Sequence, residues 1–385
     1  MMLENSIIRL LSTEKMLSIA ELASATGASV PTVTKYLNAL EGKGWVVSAG
    51  KGPSSHGRQP KRWSVCSQAA YFLGVDPKHN ALLLSLMDLS GRVVSEIEEP
   101  IKFENTPEMM ETICSRCESF ILESGVSKDR ICCAAFNISG RVDFDNGHSY
   151  SIFNFENNDE SLSQTLSERL GFKVLVDNDT RLMAYGELKN GALKDFRNCL
   201  FINVGWGIGL SIIIGGEVYY GMNGFSGEFG HTYVYDNEIM CHCGKKGCLE
   251  TEVSGRAICA QLIRRVANGE TSILHSKTIS DEKDVIGAAL HDDMLSIEVI
   301  EHAGSELGRH IANLINIFNP EAVIIGGSMQ AAGDMFIEPL KLAVRRYSLR
   351  LISQNVAIRP STLGEKAGCT GACLKARDEL FRTMN

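Results

Sequence analysis

Three cysteines, Cys241, Cys243 and Cys248, fall in a C-x-C-x4-C pattern with glycines at 244 and 247. That spacing and those turn-forming glycines let a short loop fold back until the sulfurs converge on one point. His231, upstream of the first cysteine, would complete a tetrahedral Cys3His set, the closed geometry that structural zinc prefers. His242, between two of the cysteines, is the rival fourth ligand, although its neighbours would strain the chelate; a set of free loop thiols is the competing reading. The same stretch carries Glu228 just before His231 and Glu250 just after Cys248, so closing the metal loop draws both acids towards one place. Carboxylates accept hydrogen bonds from neighbouring hydroxyls, and grouped acids of this kind suit a sugar. The alternative is two solvated surface acids.

At 385 residues the chain is too long for one ordinary core, so two or three domains are expected. Hydrophobic residues make up 44% and charged residues 22%, with no apolar run long enough to span a bilayer and no signal-peptide pattern at the start, which implies a cytoplasmic protein without membrane contact. The 12 cysteines, many set singly in apolar segments, fit a reducing compartment. Charge is uneven: residues 1–65 hold eight Lys/Arg against four Asp/Glu, while the remainder holds 30 against 42. A basic front on an acidic body places any nucleic-acid contact at the front.

That front has its own pattern. Residues 4–13 read as a helix with Ile7, Ile8, Leu10 and Leu11 on its apolar side. Ser18, with Glu21 three residues on, forms a capping box that opens a second helix. After a turn at Gly27, Ser29 caps a third helix whose Val30, Val33, Leu37 and Leu40 predict a buried face, leaving Pro31, Thr32, Thr34, Lys35 and Asn38 outward or at its margins. Two helices joined by a glycine-containing turn make a helix-turn-helix. The following WVVSAGKGPSSHGRQPKRWSV alternates around a Gly/Ser/Pro tip and predicts a two-stranded wing carrying Lys51, Arg58, Lys61 and Arg62. In this reading Thr32, Thr34 and Lys35 face a DNA major groove, and the wing's basic residues reach phosphates or the minor groove. A helical protein-interaction module with a basic loop is the alternative.

From Tyr71 the composition turns to long apolar strands. Two strands and a tight turn, a third strand after Ser90-Gly91, a helix over 107–124, a strand over 131–137, a helix over 160–170 and a strand over 173–177 follow in order. Around Asn198 the programme restarts with a strand, a glycine turn, a strand and a hairpin, then a long amphipathic helix over 293–318, a strand over 321–325 and a C-terminal helix. The repetition predicts a duplicated α/β fold with a cleft between its halves. The expected domains are a winged helix-turn-helix over 1–65, a first α/β lobe over 70–195 completed by the C-terminal helix 370–385, and a second lobe with the metal loop over 196–369.

Assembled, G-E-x-G-H followed by C-x-C-G-x-x-G-C-L-E resembles the ROK family, which groups sugar-responsive repressors with sugar kinases on an RNase-H-like, actin-like fold. The resemblance implies a structural zinc on His231, Cys241, Cys243 and Cys248, with Glu228 and Glu250 reaching a bound sugar and His231 beside it. Ser139-Gly140-Arg141-Val142-Asp143 resembles the family's P-G-x-V-D sugar loop, which adds Gly140 and Arg141. Ser151 to Phe155 resembles its S-x-x-N segment, which adds Asn154. Asn178-Asp179 matches the pair whose Asp is the catalytic base in the kinases. The front half, down to Gly57, Arg58 and Pro60, resembles the repressor branch.

Departures from the family pattern carry information as well. The kinases open their first lobe with D-x-G-G-T-[KN], where backbone N–H groups approach the phosphates; here Asp76-Pro77-Lys78-His79-Asn80-Ala81 removes an N–H and adds side chains. The turn Gly205-Trp206-Gly207-Ile208-Gly209 survives, with Trp in place of a small threonine. Arg181 replaces the Asn of the family's E-N-D-A-N and would suit an anionic or unusual sugar, and Ser139 replaces a proline. The expectation is a repressor, acting as a homodimer or higher homo-oligomer on an operator, with a sugar effector and no kinase activity. The alternative is a sugar kinase with an added DNA-binding domain.

Overall fold

The computed structural model describes residues 2–51, 61–154 and 161–383. Arg58, with Gly57 and Pro60, lies outside the described residues, as does Phe155. The chain divides into two compact units, Met1–Leu182 with Cys369–Asn385, and Met183–Gly368.

The first unit opens with three helices, α1 (Met2–Glu14), α2 (Ile19–Thr26) and α3 (Val30–Gly42). A small sheet of β1 (Leu17–Ser18), β2 (Val46–Lys51) and β3 (Lys61–Val65) runs in the order β1-β3-β2, so the wing hairpin is anchored beside the start of α2. Ile7, Leu11, Leu22, Val33, Leu37, Leu40 and Trp63 form the core of this head. Val30 does not join them: it is 51% exposed, because it sits at the free N-terminal end of α3, beyond the last element that could cover it.

Five strands follow: β4 (Tyr71–Pro77), β5 (Ala81–Asp88), β6 (Val93–Pro100), β7 (Ile131–Ile138) and, after the short β8 (Val142–Asp143) and β9 (His148–Ser149), β10 (Lys173–Asn178). Their order is β10-β7-β4-β5-β6, with β10, β7 and β4 paired in parallel and β5 antiparallel to both of its neighbours, β4 and β6. Helices α4 (Pro107–Glu123) and α5 (Leu162–Leu170) pack Ile113, Phe120, Leu162 and Leu166 against one face. On the other face Ala372, Ala376 and Phe381 of the C-terminal helix join Phe72, Cys133 and Ala135 in the same core as the head. The head is therefore seated directly on this sheet.

Helix α6 (Asp179–Asn190) carries the chain from the first unit into the second. There β11 (Cys199–Val204), β12 (Ile208–Ile214), β13 (Glu217–Val218), β14 (Ala322–Gly326) and β15 (Ala357–Pro360) form a sheet in the order β13-β12-β11-β14-β15. Its pattern repeats that of the first sheet: a meander of antiparallel strands, then two strands parallel to the first. This is the duplicated α/β architecture that the recurring strand programme predicts, with a winged helix-turn-helix in front. The helices of this unit are α7 (Glu250–Val253), α8 (Gly255–Ala267), α9 (Glu282–Ala289), α10 (Met294–Phe318), α11 (Asp334–Tyr347) and α12 (Arg350–Ser353), and α13 (Ala367–Thr383) begins at its edge. Ile258, Leu262, Val299, Leu307, Ile311, Phe336 and Leu340 fill the main core on one face of the sheet. Among the described residues no helix is long and apolar enough to cross a membrane.

Candidate functional site

In the head, the capping box forms as the sequence predicts: Glu21 N–H donates to Ser18 Oγ at 3.2 Å, and Ser18 N–H to Glu21 Oε2 at 2.7 Å. The hydrogen bond from the Ser18 backbone holds the Glu21 carboxyl below its ordinary range. Gly27 takes φ 67° at the turn, and Ser29 Oγ accepts Thr32 N–H at 3.3 Å to start α3. Thr32 and Lys35 are exposed on α3, while Thr34 is half-buried with its hydroxyl donating to Val30 O at 2.8 Å. Lys51 ends β2. Lys61 lies 3.9 Å from the centre of the Trp63 ring and 3.8 Å from Glu41, and Arg62 lies 3.5 Å from Glu21. Such surface pairs are worth about 0–1 kcal/mol, so they leave both cations available to a phosphate.

The metal loop is shaped by its backbone. Cys241 N–H donates to Lys245 O and Gly244 N–H to Cys241 O, closing a tight turn between the first and last cysteines. Gly247 has φ 76°, and a Cβ there would lie 2.2 Å from Tyr235 O, so only glycine lets Cys248 turn back against Tyr233. The result brings donor atoms of His231, Cys241, Cys243 and Cys248 all within 4.8 Å of one another. Cys241 Sγ is 3.6 Å from His231 Nδ1, and Cys243 Sγ is 3.6 Å from Cys248 Sγ. Tetrahedral bonds of about 2.3 Å have edges of about 3.7 Å, so these separations fit a metal of the zinc class. Burial keeps the His231 imidazole below its ordinary pKa and therefore neutral, the form that ligates.

His242, the rival ligand, has its Nδ1 3.9 Å from Cys241 Sγ but closer to an acid. Its Nδ1 lies 2.9 Å from Glu250 Oε1, a contact whose hydrogen bond raises its pKa. Glu250 is the better-tethered acid of the two: it is 3% exposed, with Oε2 accepting Ile208 N–H at 3.1 Å and Oε1 accepting from Arg256 Nη2 at 3.0 Å. Burial alone would raise its pKa, but the hydrogen bonds from His242 and Ile208 outweigh it and the net shift is downward. Glu228 is exposed and lies 3.9 Å from His231 Nε2. Arg256 was not among the residues the motif pointed to; its signal is its place in the first turn of α8, directly after the Glu250 helix.

In the first unit, the 139–143 loop and the start of α6 are latched together. Ser139 Oγ donates to Asp179 Oδ2 at 2.7 Å, and Asn178 Nδ2 donates to Gly140 O at 2.9 Å. Asn178 Oδ1 in turn accepts Arg181 N–H at 3.1 Å, so its amide is engaged on both sides. Burial raises the Asp179 carboxyl pKa, against the opposing bond from Ser139. Arg141 and Asn154 are exposed, with Arg141 N–H donating to Ser151 Oγ at 2.9 Å. Arg181 is not an open anion receptor as its place in the motif suggested. It is 4% exposed, ion-paired to the equally buried Asp177 at 2.6 Å, and donates from Nη2 to Val142 O at 2.9 Å.

Similarity to known proteins covers both parts of the chain. Residues 2–49 match the MarR family and residues 73–379 the ROK family. The xylose repressor of Bacillus subtilis strain 168 is 28% identical over 358 residues, covering 92% of this chain and 89% of that protein. A glucokinase of Halalkalibacterium halodurans is 31% identical over 307 residues, covering 78% of this chain and 93% of that protein. A crystal structure of a ROK family transcriptional regulator, a homolog of the E. coli MLC protein, superposes with a TM-score of 0.81 at 26% identity, covering 98% of this chain and 96% of that one. With a match over 73–379, a repeated sheet topology and a relative 31% identical over most of its length, the chain belongs to the ROK family.

Proposed function

We propose that this protein is a sugar-responsive DNA-binding transcriptional regulator that acts as a repressor. The observation that carries the reading is the joining, in one chain, of a MarR-type helix-turn-helix at residues 2–49 to a ROK body at 73–379, in the same order and over nearly the full length of a named xylose repressor. Thr32, Thr34 and Lys35 on α3 read the operator, and Lys51, Arg58, Lys61 and Arg62 of the wing hold its backbone. The protein works in the cytoplasm as a homodimer or higher homo-oligomer, because helix-turn-helix proteins read paired half-sites; the long α10 is a candidate interface.

In the second unit Glu228, His231 and Glu250 are the sugar-binding residues; in the first unit the positions of the family's sugar loop are held by Gly140, Arg141, Asn154, Asn178 and Asp179. Zinc, held by His231, Cys241, Cys243 and Cys248, ties down the loop that carries both glutamates. Glu250 accepts sugar hydroxyls while His242 and Arg256 keep it oriented, and Glu228 offers a more open acceptor. Sugar binding shifts the head between DNA-bound and free states only insofar as the two states bind sugar with different free energies, typically by about 1–3 kcal/mol.

The reading is non-enzymatic. In the segment where ROK kinases carry a glycine loop, Pro77 ends β4 without an N–H and the Lys78 N–H is spent on Ala81 O at 2.7 Å, so neither amide is offered to a phosphate. The glucokinase likeness keeps the enzyme as the second reading. One experiment separates them: binding of the full chain to its own upstream DNA, titrated with monosaccharides and amino sugars while ATP turnover is followed. Release of DNA without turnover supports the repressor, and sugar-dependent turnover overturns the non-enzymatic reading.

A further inference from the structure

The surviving glycine turn, residues 205–209, joins β11 to β12, and the protein places a buried carboxylate on each side of it. On one side Glu250 Oε2 accepts Ile208 N–H, and a Cβ added at Gly207 would lie 2.9 Å from that oxygen. On the other side stands Glu282, the first residue of α9, which is 6% exposed and whose Oε1 accepts the Ser328 hydroxyl. A Cβ at Gly255 would lie 2.8 Å from Glu282 Cδ, and one at Gly205 would lie 3.2 Å from Ser328 Oγ. A side chain at 207 or 255 would collide with one of the two acids, and one at 205 would press on Ser328.

Glu282 has no ion-pair partner among the described residues. Its carboxyl group lies against Gly255, the first residue of the 13-residue α8 and so the positive end of that helix. Ala257 N–H of that helix donates to Ser254 Oγ, and Gly255 N–H donates to Gly205 O at 2.7 Å. A helix N-terminus beside a glycine turn is the ordinary setting for an external anion. Here the anion is the protein's own. A phosphate entering this turn would meet the Glu282 carboxylate, beside a Glu250 whose charge Arg256 offsets, whereas a hydroxyl would find an acceptor.

We propose that Glu282 is a specificity-determining residue that closes the glycine turn to phosphate and leaves it to uncharged, hydroxyl-bearing ligands. This deepens the sugar reading and rests on it for the nature of the ligand: the effector is a free sugar rather than its phosphate ester.

The test uses the full chain and two variants, Glu282→Gln, which removes the charge and keeps the shape, and Glu282→Ala. Inorganic phosphate and tripolyphosphate are titrated calorimetrically into all three, with circular dichroism to establish folding. At least a tenfold gain in affinity for either probe in a folded variant is expected. Equal phosphate binding by the wild type and the folded variants overturns the proposal. A second arm needs no variant: release of DNA by free hexoses and pentoses is compared with release by their monophosphates, and a stronger response to the esters also overturns it. If no free sugar releases DNA but the variants still gain phosphate affinity, the role of Glu282 stands and the sugar reading fails.

Discussion

The Ser139 hydroxyl donates to Asp179 Oδ2 at 2.7 Å, so the carboxylate that the ROK resemblance aligns with the kinase base is engaged by the residue it aligns with the family's proline. Burial raises the Asp179 pKa, meaning that the folded state holds this charge at a cost. The sign follows: a carboxyl raised in the folded state makes its most favourable contribution at low pH and loses it as pH rises through the folded pKa. Asp179→Asn should therefore raise the melting temperature more at pH 7 than at pH 4, while weakening sugar-driven DNA release by about 10-fold or more through loss of a charged acceptor. A lower melting temperature at pH 7 with an unchanged sugar response would contradict both parts.

The metal loop should be separable from DNA reading. Metal analysis of the purified protein should find about one zinc per chain, and Cys243→Ser should abolish it. Because the loop orders both Glu228 and Glu250, the variant should lose most of its sugar response while its operator affinity in the absence of sugar stays within about twofold. An unchanged sugar affinity in a verified metal-free variant would sink the staple role.

The Asp177–Arg181 pair is a structural latch. Both side chains are buried, and removing one leaves the other charge without compensation, a loss of about 3–5 kcal/mol. Asp177→Ala should unfold at markedly lower denaturant concentration, and sugar selectivity in Arg181→Met should not shift towards or away from acidic sugars. A selectivity switch would return Arg181 to the ligand.

Glu379 on α13 binds Arg382 at 2.7 Å and Lys173 of β10 at 2.5 Å. Burial would raise its pKa, but these bonds outweigh it, so its net shift is downward. Its stabilisation is present above the unfolded carboxylate pKa and is lost as pH falls through the folded value. Glu379→Gln should lower stability by about 1–2 kcal/mol at pH 7 and by little at pH 3, measured by urea unfolding.

On the operator, Lys35→Ala and Arg62→Ala test different contacts. Loss of a phosphate contact at Arg62 should weaken all sequences alike and reduce the slope of log K against log salt by about one. Loss at Lys35, on the face of α3, should instead narrow the difference between operator and random DNA.

Much of this was legible in the chain because the signals are local. Capping boxes, turn glycines and clustered thiols act over a few residues, so Ser18 with Glu21, Gly27, and Cys241 with Cys243 and Cys248 declare themselves in sequence. Helix α6 did not, because its apolar residues serve two cores: Leu182 is buried in the first unit, and Met183, Ala184 and Leu188 in the second, which erases a single amphipathic face. Val30 failed for the opposite reason, since an apolar residue at the right helical spacing is buried only if something lies across from it.

The chain by itself determined the repeated strand programme, the head in front of it and the residue set for a metal, since each depends on spacing that the backbone must obey. Only the tertiary structure decided what stands beside each charge. Arg181 is closed off by Asp177, Glu250 is held by Arg256 and His242, and Glu282 reaches Ser328 and the glycine turn from 46 residues away. The worth of a charge depends on its burial and on partners brought together by the fold, and those are not encoded at any fixed spacing.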